Sequence, residues 1–473
     1  MSNIHHLIAE NSVGSKVMRL AGKLGVERGH DIYVVGGYVR DLFLGRPLKE
    51  IDFMVVCDGV EFAEALAKKL KVKKIVPFPK FSTAKIPYKA IPIEVAAARS
   101  ESYEKGSRKP KKVVYTDLQG DLLRRDFTVN ALAVDLHPDR FGELNDPYGG
   151  ISDLKAKLLK TPLNPNETFS EDPLRMMRAA YFAAALDFTI DEQCFNAIHE
   201  QAQRISIVSQ ERVTAELIKI LSTNKPSIGL IILQKTGLMK YVFPEIDDMY
   251  GLEQTKEWHH KDIFYHTMQV VDNAAQLSDK MKLRFAALVH DIAKPKTRKV
   301  DSKKGYTFHG HDAVGERILN KVAKYLKLPN ELRDYLKKLT LLHLRPIAIV
   351  NSEVTDSAIR RVIVAAGDEL DDLMTLCRAD ITTRNPNRVK KYLQNFEIVE
   401  SKMSNVEERD AMRAFQSPVR GKEIMESCGL SEGKEVGKIK QAIEEAILNG
   451  DIENEYEAAK EYMFKIKDEI LSD

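Results

Sequence analysis

The alternation of apolar and polar positions changes character once along this chain. In the first ~100 residues, short apolar runs alternate with helical spacing. Residues 32–35 and 51–56 read as short buried strands. Residues 60–70 carry apolar positions three and four apart, and residues 82–88 and 91–97 read as a strand pair. This pattern predicts an α/β or α+β head. From about Pro173 onward the three-and-four spacing dominates, through residues 174–186, 213–221 and 264–277, and predicts a mostly helical remainder. Between Glu104 and Val113 five basic residues, one acid, a glycine and a proline predict a mobile basic loop, either solvated or facing an anionic partner. Weak boundaries fall at Phe243-Pro244-Glu245 and at Arg384-Asn385-Pro386-Asn387, and there is no tandem repeat or low-complexity segment.

At about 100–200 residues per domain, a chain of 473 residues predicts three or four domains. Apolar residues at 44% and charged residues at 30% exclude a wholly disordered chain. No apolar stretch approaches the ~18–20 residues of a membrane span, and the N-terminus lacks the pattern of a secretory signal. Cys57, Cys194, Cys377 and Cys428 are far apart with no CxxC, which argues against a zinc ribbon or disulfide framework and predicts a cytoplasmic protein. A net charge of +3 implies no nucleic-acid binding by itself.

Candidate chemistry begins at VVGGYVRDLFLGRPLKEIDFMVV. A strand runs into Gly36-Gly37 and a helix opens after it, an arrangement that lets backbone N–H groups approach a phosphate. Arg40 follows three residues on, about one turn, where it would reach the same anion. Glu50 and Asp52 sit two apart at the start of an apolar strand, so both face away from Ile51, Phe53 and Val55. Two acids on one strand face either enclose a hard cation such as Mg²⁺ or stand solvated at an edge. Glu94, in IPIEVAAAR, is a third candidate carboxylate or an acid at a sheet rim.

Gly36-Gly37-Tyr38-Val39-Arg40-Asp41 followed by Glu50-Ile51-Asp52 resembles the signature of the class II tRNA nucleotidyltransferase (CCA-adding enzyme) and bacterial poly(A) polymerase family. The resemblance implies a nucleotidyltransferase palm of the polymerase-β type. Glu50 departs from it, since that family carries Asp-x-Asp. LLRRDFTVNALAVD (residues 122–135) resembles the family's second motif, which implies triphosphate and ribose contacts from Arg124, Arg125 and Asn130. Asp126 is placed to cap a short helix there. DPYGGISDL resembles the family's hinge, with Gly149 and Gly150 supplying the freedom.

SEDPLRMMRAAYF is the most informative stretch. Asp172, Arg175 and Arg178 are spaced i, i+3, i+6, which at ~100° per residue places them on one helical stripe about 120° wide. A carboxylate accepts from an exocyclic amino group and a guanidinium donates to a ring nitrogen. Cytosine and adenine offer that pair, while guanine and uracil present a carbonyl and an N–H instead. The family motif EDxxR is matched by Glu171, Asp172 and Arg175, with Tyr181 where relatives often have another arginine. SQERVTAELIKIL resembles the next motif, with Glu211, Arg212 and Glu216 as braces.

Six of the 12 histidines fall between His259 and His311. His266, His290-Asp291 and Asp380 together resemble the HD-domain phosphohydrolases, which implies a divalent metal held by two imidazoles and two carboxylates. Because His290 and Asp291 are adjacent, both reach one ion only at a helix end or a distortion. Lys294 would steady a phosphate, and His309, His311 and His343 would complete or extend the site. The tail, residues 420–450, resembles the same family's C-terminus, with a Lys-rich amphipathic helix near residues 436–448.

The expected fold is α+β: a polymerase-β-type palm, a mixed sheet with helices, followed by all-α neck, HD and tail regions. The expected domains are 1–155, 156–258, 259–385 and 386–473. The expected function is template-independent addition of C and A to the 3′ end of tRNA from CTP and ATP, with Mg²⁺ at Glu50 and Asp52 and with Glu94 as a third catalytic carboxylate. An HD phosphohydrolase activity with Mn²⁺, Ni²⁺ or Mg²⁺ would accompany it. A poly(A) polymerase, or an HD phosphohydrolase with an RNA-binding head, remains the alternative, no membrane is expected, and oligomeric state is open.

Overall fold

The computed structural model describes residues 2–10, 12–89, 91–103, 110–253, 262–302, 305–350, 355–383, 385–414, 417–448, 451–453 and 455–472. They fall into two compact units, Met1–Leu344 with Asp371–Arg384, and Arg345–Leu370 with Asn385–Asp473.

The strands of the head are β1 (Ile32–Val35), β2 (Ile51–Val55), β3 (Val76–Phe78), β4 (Thr83–Ile86), β5 (Ile93–Ala97), β6 (Arg99–Tyr103), β7 (Pro110–Tyr115), β8 (Ala133–Asp135) and β9 (Leu144–Asn145). Seven of them form one mixed sheet in the order β3-β4-β5-β2-β1-β8-β9. The β2–β5 pair is parallel and the remaining pairs are antiparallel. β2 lies at the centre because both of its faces are apolar. Ile51, Phe53 and Val55 enter the main core, while Met54 packs on the other side with Tyr33, Val35, Ala98 and Leu122. Only Asp52 interrupts the strand.

Two helices cover the main-core face. Val13–Arg28 is capped by the Ser12 hydroxyl, which accepts from the Ser15 N–H at 3.0 Å. A Cβ on Gly22 would lie 1.8 Å from the Leu136 carbonyl oxygen, so glycine is what lets this helix lie against the chain leaving β8. Gly59–Lys69 is capped in the same way by Asp58 through the Glu61 N–H. Residues 104–109 of the expected basic loop lie outside those described, while its last residues, 110–113, belong to β7, which pairs antiparallel with β6.

Beyond residue 160 the first unit is almost wholly helical. Leu174–Leu186 buries Met176, Met177, Ala179, Ala180 and Ala183. Gln210–Leu221 and Pro226–Lys235 follow, then Ile263–Leu277, Met281–Val289, His311–Tyr325, Asn330–Leu342 and Leu370–Ala379. The chain is not divided at Phe243-Pro244-Glu245. Phe243 is fully buried, its ring 6.4 Å from that of Phe285, and the core runs on through it. The second unit holds its own core of Val419, Ile424, Val436, Ile439, Ile443, Ala459 and Met463. Among the described residues no helix is long and apolar enough to cross a membrane.

Candidate active sites

β1 ends at Gly36, whose φ of +70° and ψ of −128° are open in practice only to glycine, and the helix Gly37–Phe43 starts there. A Cβ at this position would lie 2.7 Å from Nη1 of Arg125. The glycine therefore lets the Arg125 guanidinium sit over the turn. That guanidinium donates to the Asn130 carbonyl at 3.3 Å and to Asp121 Oδ2 at 3.0 Å. Arg124 also pairs with Asp121. Asp121 is buried with both arginines, and although burial alone would raise it, they hold its carboxyl below the usual range. Sequence reasoning passed over Asp121, yet its i, i+3 and i, i+4 spacing to the two arginines was a readable signal.

Arg40 is a strut here. Its Nε and Nη2 donate to the Asp41 carboxylate at 2.9 and 3.0 Å and its Nη1 to Asn130 Oδ1 at 2.7 Å, which differs from the free anion hook its spacing suggested. Asp126 does not cap the turn Thr128–Asn130, which has no side-chain cap. Its carboxylate accepts instead from the Phe127 N–H at 2.9 Å, the Asn130 amide at 3.0 Å and Arg178 Nε at 2.7 Å. Burial works against its charge, but Arg178 and Asn130 outweigh burial and keep it below the ordinary range.

The register sets Asp52 of β2 directly opposite Glu94 of β5. Burial, then Glu50 and Glu94, push the Asp52 carboxyl up to about 7. Glu94 itself is held by Lys85 on β4, Nζ to Oε2 3.1 Å, a cation the sequence reading did not single out. Glu50 stands exposed just before β2. An acid whose ionisation is disfavoured by burial and by two neighbouring carboxylates fits a divalent cation, and Mg²⁺ characteristically takes one or two carboxylates while keeping water and phosphate ligands. Among the described residues, Glu50, Asp52 and Glu94 do not form a three-donor cluster of the tight kind found further along the chain.

Asp52 and Glu50 open into a cleft of about 680 Å³ lined also by Gly37, Arg40, Tyr181 and Lys219. The Lys219 ammonium lies 6.0 Å over the Tyr181 ring, so a positive charge is present beside this tyrosine.

The expected helical stripe is broken at its first member. The helix Pro165–Glu171 ends before Asp172, whose φ of −134° and ψ of 100° are extended, and the next helix begins after Pro173. Proline lacks an N–H and biases the residue before it away from helix, which is the physical reason. Asp172 Oδ1 accepts from the Leu174 N–H at 3.2 Å, and Oδ2 lies 3.3 Å from Arg212. Arg175 donates to Glu171 at 3.2 Å and to the Arg124 carbonyl at 2.6 Å. Glu216 is buried and accepts from Lys219 at 2.8 Å, while Glu211 is exposed.

The second site gathers donors from helices far apart in sequence. His290 follows the helix Met281–Val289 immediately, and this helix end lets it and Asp291 point the same way. His266 Nε2 lies 3.0 Å from Asp380 Oδ1 and 3.5 Å from Asp291 Oδ2. His290 Nε2 lies 3.1 Å from Asp291 Oδ2 and 3.5 Å from Asp380 Oδ1. His290 Nδ1 is 2.8 Å from the Ala287 carbonyl, which can only accept. In a neutral ring the proton therefore sits on Nδ1, and Nε2 is left to face the carboxylates as a lone pair. His290 Nε2 and Asp380 Oδ1 are buried without a hydrogen bond. Such facing acceptors fit a divalent cation, with the carbonyl orienting the ring.

Burial opposes a charge on His290, but Asp291 and Asp380 outweigh it and push the imidazole up to about 10, so a second proton on Nε2 and a cation compete for the same place between ring and carboxylates. Burial likewise opposes charge on these carboxyls, yet the imidazoles hold both well below the usual range, Lys294 adding to the effect at Asp291. Lys294 contacts Asp291 Oδ2 at 2.5 Å, so its ammonium is engaged by the carboxylate and not free for a phosphate. His309 is exposed and does not join the cluster, whereas His311 and His343 do. His259 and His260 lie outside the described residues.

Three families match along the chain: the Poly A polymerase head domain at residues 32–160, the Probable RNA and SrmB-binding site of polymerase A at residues 187–250, and the HD domain at residues 263–382. A Multifunctional CCA protein of Shewanella frigidimarina is 37% identical over 64% of this chain and 71% of that protein. One of Vibrio campbellii is 32% identical over 77% of this chain and 88% of that protein. In fold, the chain is similar to the Thermotoga maritima CCA-adding enzyme complexed with tRNA, with a TM-score of 0.58 and 22% identity over 98% of this chain and 99% of that one.

Proposed function

The chain belongs to the multifunctional CCA protein family, and from that premise we propose that it adds C and A to the 3′ end of tRNA, taking CTP and ATP without a nucleic-acid template and releasing pyrophosphate. The observation that carries this reading is the cleft shared by the paired acids Glu50 and Asp52, Gly37 at the start of the helix after β1, and Tyr181 on the helix that follows Asp172. A cation held by the acids and phosphates at the glycine turn would meet in this one volume.

Asp52 and Glu50 would hold Mg²⁺, with Glu94 beside them. Such a cation supplies Lewis acidity to a triphosphate and lowers the pKa of an attacking 3′-hydroxyl. The remaining work falls to the chain itself. The backbone at Gly36-Gly37, at a helix N-terminus, receives the phosphates. Arg124, Arg125 and Asn130 face the triphosphate and ribose, with Arg40 and Asp126 fixing Asn130 from either side. Asp172 and Arg175 read the base. The Asp172 contact to Arg212 is long and partly solvated, and a base amino group can take its place. Arg178 anchors the reading helix to the head through Asp126.

The proposed domain division follows function: palm 1–155, neck 156–258, HD 259–385 and tail 386–473. In the HD region His266, His290, Asp291 and Asp380 would hold a transition metal such as Mn²⁺ or Ni²⁺, or Mg²⁺. A divalent ion there lowers the pKa of water for attack on a phosphate ester. The fitting substrate is an RNA 3′ end bearing phosphate or cyclic phosphate, since its removal regenerates the hydroxyl the head requires. A cytoplasmic location accords with four unpaired cysteines.

The test is tRNA trimmed of its 3′ end, incubated with each labelled nucleotide in turn. Incorporation from CTP and ATP but not GTP or UTP supports the reading. Incorporation of all four, or of none with Mg²⁺ or Mn²⁺, overturns it.

A further inference from the structure

The acids of the head stand in a row that continues past them to the edge of the sheet. Asp52 of β2 is opposite Glu94 of β5, Glu94 is opposite Lys85 of β4, and Lys85 is opposite Val76 of β3. Two residues along, Thr83 of β4 is opposite Phe78 of β3. Residues paired in this way project from one face of a sheet, so Val76 and Phe78 share the face of Asp52 and Glu94. At about 4.8 Å per strand, the row runs about 14 Å beyond Asp52.

This outer part of the face is open. Val76 is 52% and Phe78 42% exposed, while Ala84 and Ile86, on the other face of β4, are in the core. Its charge is opposite to that of the acids beside it. Residues 71–93 hold six lysines, three aromatic residues and no acid. Lys73, Lys74 and Lys80 are exposed and have no carboxylate partner among the described residues, whereas Lys85 pairs with Glu94. Pro77 and Pro79 have no N–H to offer, so this edge is poorly suited to pairing with a further strand. Exposed aromatic faces among unpaired cations suit a single-stranded nucleic acid instead, bases on the rings and phosphates on the lysines.

The direction of nucleotide transfer agrees. The 3′-oxygen of the RNA bonds to the α-phosphorus on the side opposite to the bond that breaks toward pyrophosphate. The glycine turn that receives the phosphates is at the end of β1, and β1 and β5 flank β2 on opposite sides. Pyrophosphate leaving over β1 therefore places the attacking hydroxyl over β5, and the open face of β4 and β3 is next in line. Neither Phe78 nor Lys74 nor Lys80 lines the nucleotide cleft. We propose, resting on the nucleotide-adding function above, that this face holds the single-stranded nucleotides just before the 3′ terminus of the tRNA. Phe78 is the stacking surface, and Lys74 and Lys80, on either side of it in sequence, meet the phosphates.

The experiment uses the full chain and tRNA trimmed of its 3′ end. Steady-state C addition is compared for the parent, Phe78→Ala, Phe78→Tyr, and Lys74→Gln with Lys80→Gln, with circular dichroism as the check on folding. KM for tRNA should rise about tenfold in Phe78→Ala, the order of one lost stacked base, while kcat and KM for CTP hold. Phe78→Tyr should keep the parent's KM, and the lysine pair should flatten the salt dependence of KM for tRNA. An unchanged KM for tRNA in Phe78→Ala and in the lysine pair overturns the surface and leaves nucleotide addition standing. An equal rise in KM for tRNA and CTP also overturns it, by showing a disturbed sheet in place of a lost contact. A second arm needs no turnover: trimmed tRNA with a photoreactive thiouridine as its last nucleotide is crosslinked to the parent. Crosslinks within residues 74–81 are expected, and they would uphold the surface even if the parent added no nucleotide, a result that overturns the proposed function alone. Crosslinks confined to other parts of the chain overturn the surface.

Discussion

The Arg178 guanidinium meets the buried Asp126 carboxylate at 2.6 Å, from a helix 52 residues further along the chain. Through Asp126 it reaches Asn130, and through Asn130 it reaches Arg40 and Asp41. Arg178, Asp126, Asn130, Arg40 and Asp41 are therefore one connected network that ends at the wall of the cleft, and the helix after Asp172 is a structural part of the head.

Arg178→Met leaves a buried carboxylate without its cation. The expected cost is about 3 kcal/mol, the lower end for a broken buried pair, because Arg178 is one-third open to solvent. Chemical denaturation measures it, and a loss below about 1 kcal/mol, the worth of an exposed pair, would show the network to be superficial.

Acid stability follows with a definite sign. Asp126 is held below its ordinary value by Arg178 and Asn130, against the effect of burial. A carboxyl lowered in the folded state contributes stability that is complete above the unfolded pKa of about 3.9 and is lost as pH falls through the lower folded value. Asp126→Asn should be less stable than the parent at neutral pH and should lose less stability between about pH 4 and the acid limit. Melting temperatures from pH 2 upward test this, and parallel curves would contradict it.

Asp52→Ala should reduce nucleotide incorporation by orders of magnitude. Removing a half-buried acid whose carboxyl is pushed up to about 7 leaves no unpaired partner behind, so the melting temperature should hold or rise. Glu50→Asp should keep or raise activity with Mg²⁺. A near-normal rate from Asp52→Ala would remove the palm assignment.

Discrimination among nucleotides should depend on Asp172 and Arg175. Alanine at both should admit GTP and UTP more than it slows CTP addition. Asp172→Ala is the cleaner of the two, since Arg175 also ties Glu171 to the Arg124 carbonyl. A slow but faithful double variant would refute base reading by this pair.

Much of this was legible in the sequence because the signals were local. The strands at 32–35 and 51–55 and the helix at 174–186 are set by short-range apolar spacing, and the structure has them there. The Gly36 turn and the His290-Asp291 helix end were equally readable. What was not legible depended on proline chemistry or on long-range register. Pro173 takes Asp172 out of the helix and breaks the stripe. Lys85 reaches Glu94 only because β4 pairs with β5. His311 and His343 meet only when two helices close over Gly315.

Hydrolysis of a 2′,3′-cyclic nucleotide should vanish in His290→Ala with Asp291→Ala, while nucleotide addition by the head persists. If the parent hydrolyses nothing with Mg²⁺, Mn²⁺, Co²⁺ or Ni²⁺, the HD cluster is structural.

The most direct test of the central claim is product length. The full chain is given tRNA lacking its 3′ end, CTP and ATP together, and Mg²⁺, and products are resolved at single-nucleotide resolution. Extension should stop at C-C-A, with no long tail when ATP is supplied alone. A growing ladder of A residues with ATP alone would contradict it and identify a poly(A) polymerase instead.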